Sequence, residues 1–372
     1  MTEIIRIGTR GSQLALWQAN WVKSQIERIS HVQTEIIKIK TTGDQITDRP
    51  LSMVGGKGLF VKEIEQQLLD RDIDIAVHSM KDMPGELPEG LTVGAIPTRE
   101  NPFDVLISRD NLCLDDLPAG SRIGTSSLRR ASQLKHVRPD ITTLSIRGNL
   151  DTRLRKLDTG EYDAIILAAA GLIRLGMADR ITQYLDEDIM VPAVGQGALC
   201  IESRHSNLQS SSKNNMQPDQ HDVLIAQILA KLDYTSSRIP VEAERAFLKK
   251  MEGSCHIPVA CFGRLDRIQK ISTSESAGVV SDIGGKEAFE EKGNVTAYQL
   301  ILTGLVASED GTQVIRETVI SPLDTPTNLL KISAKKPFDI ESTSTIAEKI
   351  GIKLAELLLT KGAKQILENL KN

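Results

Sequence analysis

The chain has 372 residues, 40% hydrophobic and 3% aromatic, and its 45 lysines and arginines against 49 acidic residues give a formal net charge of −4. The length suits two or three compact domains. The charge balance argues against bulk nucleic-acid binding, and so few aromatic rings leave little to stack on bases. With no exposed apolar repeat that calls for a partner, we expect a monomer.

The N-terminus carries no secretory signal, because Met1–Glu3 lead straight into a charged, strand-like Ile4–Ile7. No apolar stretch is long enough to span a bilayer. Cysteines at 113, 200, 255 and 261 lack Cys-x-x-Cys spacing, so neither a zinc site nor a disulfide framework is predicted. We expect a cytoplasmic protein with no metal and no membrane partner; a plastid protein whose leader has been trimmed would give the same pattern.

Short apolar runs alternate with amphipathic helices, which is typical of an α/β fold with largely parallel strands. The first helix is predicted to begin at Ser12, a good N-cap, with Leu14, Trp17 and Trp21 facing the core. The predicted strands are Ile4–Ile7, Glu35–Lys40, Ile73–His78, Thr92–Ile96, Val105–Ser108, Ile141–Ser145, Ala164–Ala168 and Ala198–Glu202.

Prolines and glycines interrupt this alternation at Pro97–Pro102 and at Val191–Gly197, as domain crossovers do. They predict a first α/β lobe formed by residues 1–97 and 198–235, with a second lobe, 103–192, inserted. Residues 239–372 are predicted to form a smaller α+β domain: a helix over Val241–Met251, strands near Ile257–Phe262 and Val295–Val306, and a closing helix through Ile346 and Leu357. Polar segments at 206–221, 272–294 and 335–339 are expected to be surface loops or linkers.

Arginines are concentrated where predicted strands give way to helices, in Gly124–Arg130 (GTSSLRR) and Ser145–Arg153 (SIRGNLDTR). Backbone N–H groups and the positive helix end converge at such junctions, and guanidinium groups there bind carboxylates in two-pronged fashion. The ligand should therefore carry several negative groups. Thr9–Ser12 repeats the pattern in the first lobe, although plain helix capping explains part of it.

The predicted strand over Ile73–Val77 runs directly into HSMKDMP, which places Lys81 and Asp82 at its carboxyl end, where open α/β sheets bind ligands. Alternatively, Asp82 caps a turn before Pro84 and Lys81 is solvated. Within a cationic pocket, a single carboxylate stays ionised and could stabilise a positive charge or relay a proton, so Asp82 is the candidate catalytic residue.

Two loops carry further candidates. Gly55–Gly58 lacks the phosphate-loop pattern, so a mobile flap that brings Lys57 to an anion and a plain surface loop both stay open. Cys255 lies between a predicted helix and strand, where its thiol could be reactive or merely structural. A Cys–His protease is disfavoured, because Cys255 and His256 are adjacent and seldom face each other, and His78 could equally be a core histidine.

Taken together, these motifs resemble the porphobilinogen deaminases, also called hydroxymethylbilane synthases. The resemblance implies two lobes like those of periplasmic binding proteins around a cleft, and a third domain whose cysteine carries a dipyrromethane cofactor through a thioether. It is carried by Thr9–Gln18, Val54–Phe60, Ala76–Pro84, Gly124–Arg130, Arg147–Arg153, Ala164–Leu175, Pro192–Ala198 and Gly253–Pro258.

The activity implied by the resemblance is a transferase of haem and tetrapyrrole biosynthesis. It joins four porphobilinogen units head to tail onto the primer, with loss of ammonia at each addition, and then frees hydroxymethylbilane by hydrolysis, while the cofactor stays on the protein. Each pyrrole brings an acetate and a propionate, and fixed guanidinium groups would offset the repulsion between them. The implied partner is the small molecule porphobilinogen, with a transient handover to the next pathway enzyme.

By motif position, the resemblance also implies residue roles. Asp82, aided by Lys81, would stabilise a cationic azafulvene-like species and assist proton transfer. Ser254 replaces the glycine usual in the family beside the cofactor cysteine, which puts the geometry of that loop in doubt. The implied cofactor-binding residues are Cys255, Arg129, Arg130, Ser127, Lys81 and Asp82, and the implied substrate-binding residues are Arg10, Ser12, Lys57, Arg147, Arg153 and Arg174.

A second hypothesis is a non-catalytic two-lobed binding protein for a small polyanion, since the same lobes serve that purpose. It predicts that Cys255 is unmodified.

Overall fold

The structure is a computed structural model that describes residues 4–45, 58–205, 219–251, 257–269, 296–323 and 340–370. Lys57, Ser254 and Cys255 lie outside these residues, as do the predicted loops at 272–294 and 335–339 and most of the polar segment 206–221. The last residues of that segment are helical rather than a loop, because a helix begins at Gln220 with Asp219 as its N-cap.

Strands and helices alternate through the first 200 residues, and the chain closes with an antiparallel sheet and helices. The strands are β1 Ile4–Arg10, β2 Gln33–Ile39, β3 Ile75–Ser79, β4 Leu91–Ala95, β5 Asp104–Ser108, β6 Arg122–Gly124, β7 Thr142–Leu144, β8 Ala164–Ala168, β9 Gln183–Leu185, β10 Leu199–Arg204, β11 Val259–Gln269, β12 Thr296–Ala307 and β13 Val314–Leu323. The α-helices are α1 Gln13–Ser30, α2 Thr42–Gln45, α3 Lys62–Leu69, α4 Leu128–Val137, α5 Leu150–Asp158, α6 Ala169–Arg174, α7 Gln220–Ala230, α8 Thr235–Lys250, α9 Ile340–Leu358 and α10 Lys364–Asn369.

Two five-stranded sheets share one topology. Their strand orders are β2-β1-β3-β10-β4 and β7-β6-β8-β5-β9. In each sheet the fourth strand, β10 or β5, runs antiparallel to both neighbours, while the other strands share one direction. These two strands are the ones that follow the crossovers between the lobes. The predicted fold class, two mixed α/β lobes with a smaller C-terminal α+β domain, is confirmed; the residue limits of the domains stay predictions.

Two strands, β9 and β13, were not predicted, and β6 was predicted only as the strand that precedes Gly124–Arg130, without limits. β9 has three residues, Gln183–Leu185, that show no apolar alternation. The apolar residues of β13 are interrupted by Arg316 and Glu317, and Pro322 lies near its end. An edge strand tolerates such residues, and β13 is at the edge of the described sheet, paired with β12.

Helix α1 begins as predicted, because the Ser12 hydroxyl accepts a hydrogen bond from the Ala15 amide at 3.3 Å. Its predicted core face is partly wrong. Trp17 is 36% exposed, whereas the fully buried apolar positions are Ala19, Val22 and Ile26. That stripe, spaced by three and four residues, lies beside the tryptophans and packs on β1 and β3.

The C-terminal domain packs helices α8 and α9 against the sheet β11-β12-β13. Phe247, Leu302 and Leu354 lie fully buried between them. The helices approach closely at Gly351, where an added Cβ would lie 2.1 Å from the Ala243 carbonyl oxygen. Helix α8 begins six residues earlier than predicted and contains Pro240.

A buried carboxylate, Glu244 of α8, joins this domain to both crossovers. It accepts hydrogen bonds from Arg99 Nη1 at 2.6 Å, from the Gly195 amide at 2.6 Å and from the Gly263 amide at 2.8 Å. Arg99 Nε also donates to the Gln196 carbonyl at 2.8 Å. Both connections between the lobes are therefore fixed to the same side chain.

Candidate active site

Strand β3 ends at Ser79, and the chain turns at once into a single 3-10 turn, Met80–Asp82. Met80 is buried beneath the turn, Lys81 is partly buried and Asp82 is exposed. The Asp82 carboxylate accepts no hydrogen bond from any residue within the described ranges. It therefore remains able to interact with a ligand.

Asp82 shares a pocket of the first lobe with two other predicted residues, Arg10 and Ser12. The Arg10 guanidinium donates from Nε to Asp44 at 3.1 Å and lies over the Phe60 ring, 4.1 Å from its centre. Burial alone would raise the pKa of Asp44, but the hydrogen bond and charge of Arg10, together with the hydrogen bonds from Thr41, lower it. Arg10 is thus held in place at the pocket by an acid and a ring.

On the second lobe, the two adjacent arginines at the start of α4 converge on one buried acid, Asp104. Arg129 Nη1 donates to Asp104 Oδ2 at 2.7 Å and to the Val191 carbonyl at 2.8 Å. Arg130 donates from Nε to Asp104 Oδ1 at 2.8 Å. Burial would raise the pKa of Asp104, but the charges of Arg129 and Arg130 lower it. Two guanidinium groups share one carboxylate, so the cluster keeps one net positive charge.

Asp104 is a site residue that the sequence did not reveal. It is the first residue of β5, a short apolar strand, and a single acid in that position has no distinguishing pattern. Its significance comes only from the fold, which places β5 next to the residues that follow β6.

More positive charge gathers at the start of α5. Burial, with repulsion from Arg130 and Arg147, lowers the pKa of Arg153 to about 10. Arg153 donates to the Gly148 carbonyl at 2.9 Å. Within the described part of the chain, neither the Arg147 guanidinium nor the Ser127 hydroxyl, at the N-cap of α4, has a hydrogen-bond or ion-pair partner. Such a surplus of cations and free donors favours a bound anion.

Lys81 connects the two halves of the site. Burial and then repulsion from Arg130 lower its pKa to about 8, while attraction to Asp82 and Asp104 acts in the opposite direction. Lys81 belongs to the first lobe, and Arg130 and Asp104 belong to the second. The interaction of Lys81 with Arg130 and Asp104 therefore brings candidate residues of the two lobes close to one another.

Arg174 is placed differently from the other predicted substrate ligands. It is 8% exposed and donates to the Gly197 carbonyl at 2.7 Å, within the second crossover. Burial lowers its pKa to about 10, with Glu100 opposing. The structure thus places Arg174 against the second crossover, and its role in substrate binding stays a prediction.

Across the residues with described positions, no three His, Cys, Asp or Glu side chains are grouped to hold a metal ion. None of the described helices combines the length and apolar character needed to cross a membrane.

Comparison with known families assigns the chain. Residues 5–212 match the family model "Porphobilinogen deaminase, dipyromethane cofactor binding domain", and residues 239–295 match "Porphobilinogen deaminase, C-terminal domain". The chain belongs to the porphobilinogen deaminase family. The predicted family membership is confirmed. The alternative of a non-catalytic binding protein is set aside, because this is a family of enzymes.

Similarity to individual porphobilinogen deaminases extends over nearly the whole chain. The protein from Geotalea daltonii is 44% identical over 364 residues, covering 98% of this chain and 93% of its own. That from Pelobacter propionicus is 42% identical over 365 residues, covering 98% and 96%. Among solved structures, a TRAP periplasmic solute binding protein from Desulfovibrio salexigens aligns with 63% of this chain and 73% of its own, at 13% identity and a TM-score of 0.37.

The cofactor of the porphobilinogen deaminase family, dipyrromethane, suits the described residues. Its two pyrroles carry carboxylates, and the candidate residues carry the opposite charge: a net positive Asp104 cluster, an Arg147 without a partner among the described residues, and Arg153 with a lowered pKa. Arg129 and Arg130, which Asp104 already engages, would add to this positive charge, and Ser127, Arg147 and Lys81 would bind the carboxylates.

Proposed function

We propose that this enzyme is a transferase that polymerises four porphobilinogen molecules, one at a time and with loss of ammonia, onto dipyrromethane attached through Cys255. Hydrolysis then releases hydroxymethylbilane. Dipyrromethane supplies the primer ring whose free carbon is extended. The observation that carries the proposal is the position of Asp82, which has no hydrogen-bond or ion-pair partner among the described residues, next to Lys81, whose pKa responds to Arg129 and Arg130 of the second lobe.

The arginines explain how several carboxylates can occupy one site. Arg147 and Arg153 would offer guanidinium groups beside the N-terminus of α5, and Arg10 would add one from the first-lobe pocket that contains Asp82. Because the Asp104 cluster retains a positive charge, the acetate and propionate groups of successive pyrroles meet an attractive field rather than a neutral one. Lys57, which lies outside the described residues, would add a further charge from its loop.

Asp82 is suited to the chemical step. When ammonia leaves, positive charge develops on the substrate pyrrole, and an ionised carboxylate beside the ring nitrogen stabilises it. The ring carbon that forms the new bond must then lose its proton, which Asp82 can accept. Lys81, with its pKa lowered to about 8, would hold a carboxylate next to Asp82 and assist proton movement.

The position of Cys255 in the chain favours its attachment role. It lies in the connection between α8, which ends at Lys250, and β11, which begins at Val259. Arg245 of α8 donates to the Pro84 carbonyl at 2.9 Å, just beyond Asp82. The segment that contains Cys255 therefore follows a helix, α8, that contacts the residues just after the Met80–Asp82 turn.

The attachment can be tested by the intact mass of the purified protein. Wild type should exceed the sequence mass by one dipyrromethane and convert porphobilinogen to hydroxymethylbilane, and Cys255→Ala should show neither property. Cys113→Ala, which changes an exposed free thiol, is the control and should keep both. If wild type has the bare sequence mass, or if Cys255→Ala keeps the adduct, the assignment is wrong.

We also propose that the enzyme acts as a cytoplasmic monomer, with the domain limits given above and a transient handover of product to the next pathway enzyme. The monomer is supported by the absence of any extended apolar surface among the described residues, where exposed large apolar side chains are scattered. Light scattering coupled to size exclusion measures the mass directly.

A further inference from the structure

Three ionisable side chains are buried together behind the pocket that contains Asp82. His78 of β3 and Glu202 of β10 lie on neighbouring antiparallel strands, with His78 Nε2 3.1 Å from Glu202 Oε2. Glu65 belongs to α3, which packs against the same two strands. Glu202 is completely buried, and His78 and Glu65 are each 5% exposed. The chemistry proposed for Asp82 and Lys81 uses none of them.

This cluster has more acceptors than its described neighbours satisfy. Glu65 Oε1 and Glu202 Oε1 are buried without a hydrogen-bond partner among the described residues. An ionised carboxylate in that situation is costly, so the two acids are more stable with a proton on one of them. Burial, and then the charge of Glu202, raises the pKa of Glu65 to about 7, with His78 opposing.

Other charged or titratable groups face the cluster from the elements packed against it. They are Lys62 of α3, Cys200 of β10, and Arg238, Glu242 and Arg245 of α8. Burial, reinforced by Glu202, raises the pKa of Cys200 to about 12, so this thiol stays neutral near pH 7. The arginines stay charged. The proton on Glu65, which is buried beside Glu202 and His78, is therefore the one that decides the charge of the cluster near pH 7.

His78 connects the cluster to the active site. It lines the same pocket as Arg10, Ser12 and Asp82, on the strand that leads into the catalytic turn. We infer that Glu65, Glu202 and His78 form a proton-sharing unit that sets the charge beneath the pocket, and that loss of its proton weakens the binding of the carboxylate-rich substrate. The two glutamates are thus positioning residues that act through His78, and the inference rests on the proposed function.

Glu65→Gln tests the inference, because glutamine has the shape of the protonated acid and cannot lose a proton. For wild type, KM for porphobilinogen should rise about threefold to tenfold between pH 6 and pH 8, the effect expected of one added negative charge at long range in protein. Glu65→Gln should keep the low KM through pH 7, the region in which Glu65 loses its proton in wild type, with kcat little changed; closer to pH 8, loss of the Lys81 proton raises KM in both proteins. Glu35→Gln, an exposed change on β2 of the same lobe, should behave as wild type.

Glu202→Gln provides a second variant. Removing this neighbouring charge should lower the pKa of Glu65, so the rise in KM should move to lower pH rather than disappear. If Glu65→Gln and wild type have the same pH profile of KM, or if wild type has no step between pH 6 and pH 8, the inference is wrong.

Unfolding measurements separate this inference from the proposed function. The ordinary pKa of 4.5 applies to Glu65 in the unfolded chain, against about 7 in the fold. Between these values the unfolded chain binds fewer protons, so the stability contributed by Glu65 falls as pH rises. Urea unfolding should show Glu65→Gln gaining stability relative to wild type over that range. A constant difference would overturn the inference even if wild type failed to turn over porphobilinogen, a failure that would refute only the proposed function.

Discussion

At the scale of single residues, the site depends on which charges have partners and which do not. Asp104 binds two arginines and holds them in place, whereas Asp82 and Arg147 have no partner within the described ranges. A paired group stabilises the fold, and an unpaired group keeps its interaction energy for a ligand. The two aspartates, Asp82 and Asp104, therefore differ in what they can do, although they are residues of the same type.

Replacing Asp82 by alanine should lower kcat by about 100-fold or more, because both charge stabilisation and proton acceptance are lost. The dipyrromethane adduct should remain, since Cys255 is untouched. Turnover of porphobilinogen and intact mass are the two measurements.

Glu86→Gln is the matched control for this prediction, because Glu86 is an exposed acid close to the same turn and, among the described residues, forms an ion pair only with Lys249 at the surface. The control should keep the wild-type rate. Wild-type kcat in Asp82→Ala would rule out the catalytic role.

At the scale of helices and strands, the C-terminal domain depends on close contact between α8 and α9. Gly351 permits this contact, because its missing side chain leaves room for the Ala243 carbonyl. Phe247, one turn further along α8, is fully buried at the same interface. Helix α8 also leads to Cys255, so its packing bears on the position of the predicted attachment site.

Gly351→Ala should destabilise the protein by about 1–3 kcal/mol, because the new Cβ would lie 2.1 Å from the Ala243 oxygen and force the helices apart. Urea denaturation measures the change. At Gly171 of α6 an added Cβ meets only Leu14 at 3.7 Å, so Gly171→Ala should cost no stability. Equal stabilities for the two variants would contradict the packing argument.

At the scale of the whole molecule, both crossovers between the lobes meet the third domain at Glu244. The first crossover contributes Arg99, the second contributes the Gly195 amide, and β11 contributes the Gly263 amide. Since both connections between the lobes reach one buried carboxylate, the relative position of the lobes depends on a side chain of the third domain.

Glu244→Gln should therefore lower the free energy of unfolding by about 3 kcal/mol, because Arg99 loses its buried counter-charge. Thermal or urea unfolding tests this. Glu356→Gln, on α9, removes an exposed partner of Lys250 and should change stability by less than about 1 kcal/mol. A loss as small for Glu244→Gln would show that the junction does not depend on this charge.

Local patterns in the sequence predicted most of the fold. Alternation of apolar residues gave the longer strands of both lobes, and Ser12 gave the start of α1. The pattern failed for β9, which is too short to show a period. It also failed for Trp17, since a helix with apolar residues on several sides does not reveal which side its neighbours cover.

By itself, the sequence determined the family, the cofactor and the motifs that carry the candidate residues, because these depend on residue types at close spacing along the chain. Only the tertiary structure decided that Asp104 neutralises part of the arginine charge, that Arg174 lies at the second crossover, and that Glu65, His78 and Glu202 are buried together. These partners are far apart in the chain. Ion pairing and burial depend on distances in space, which residue spacing does not contain.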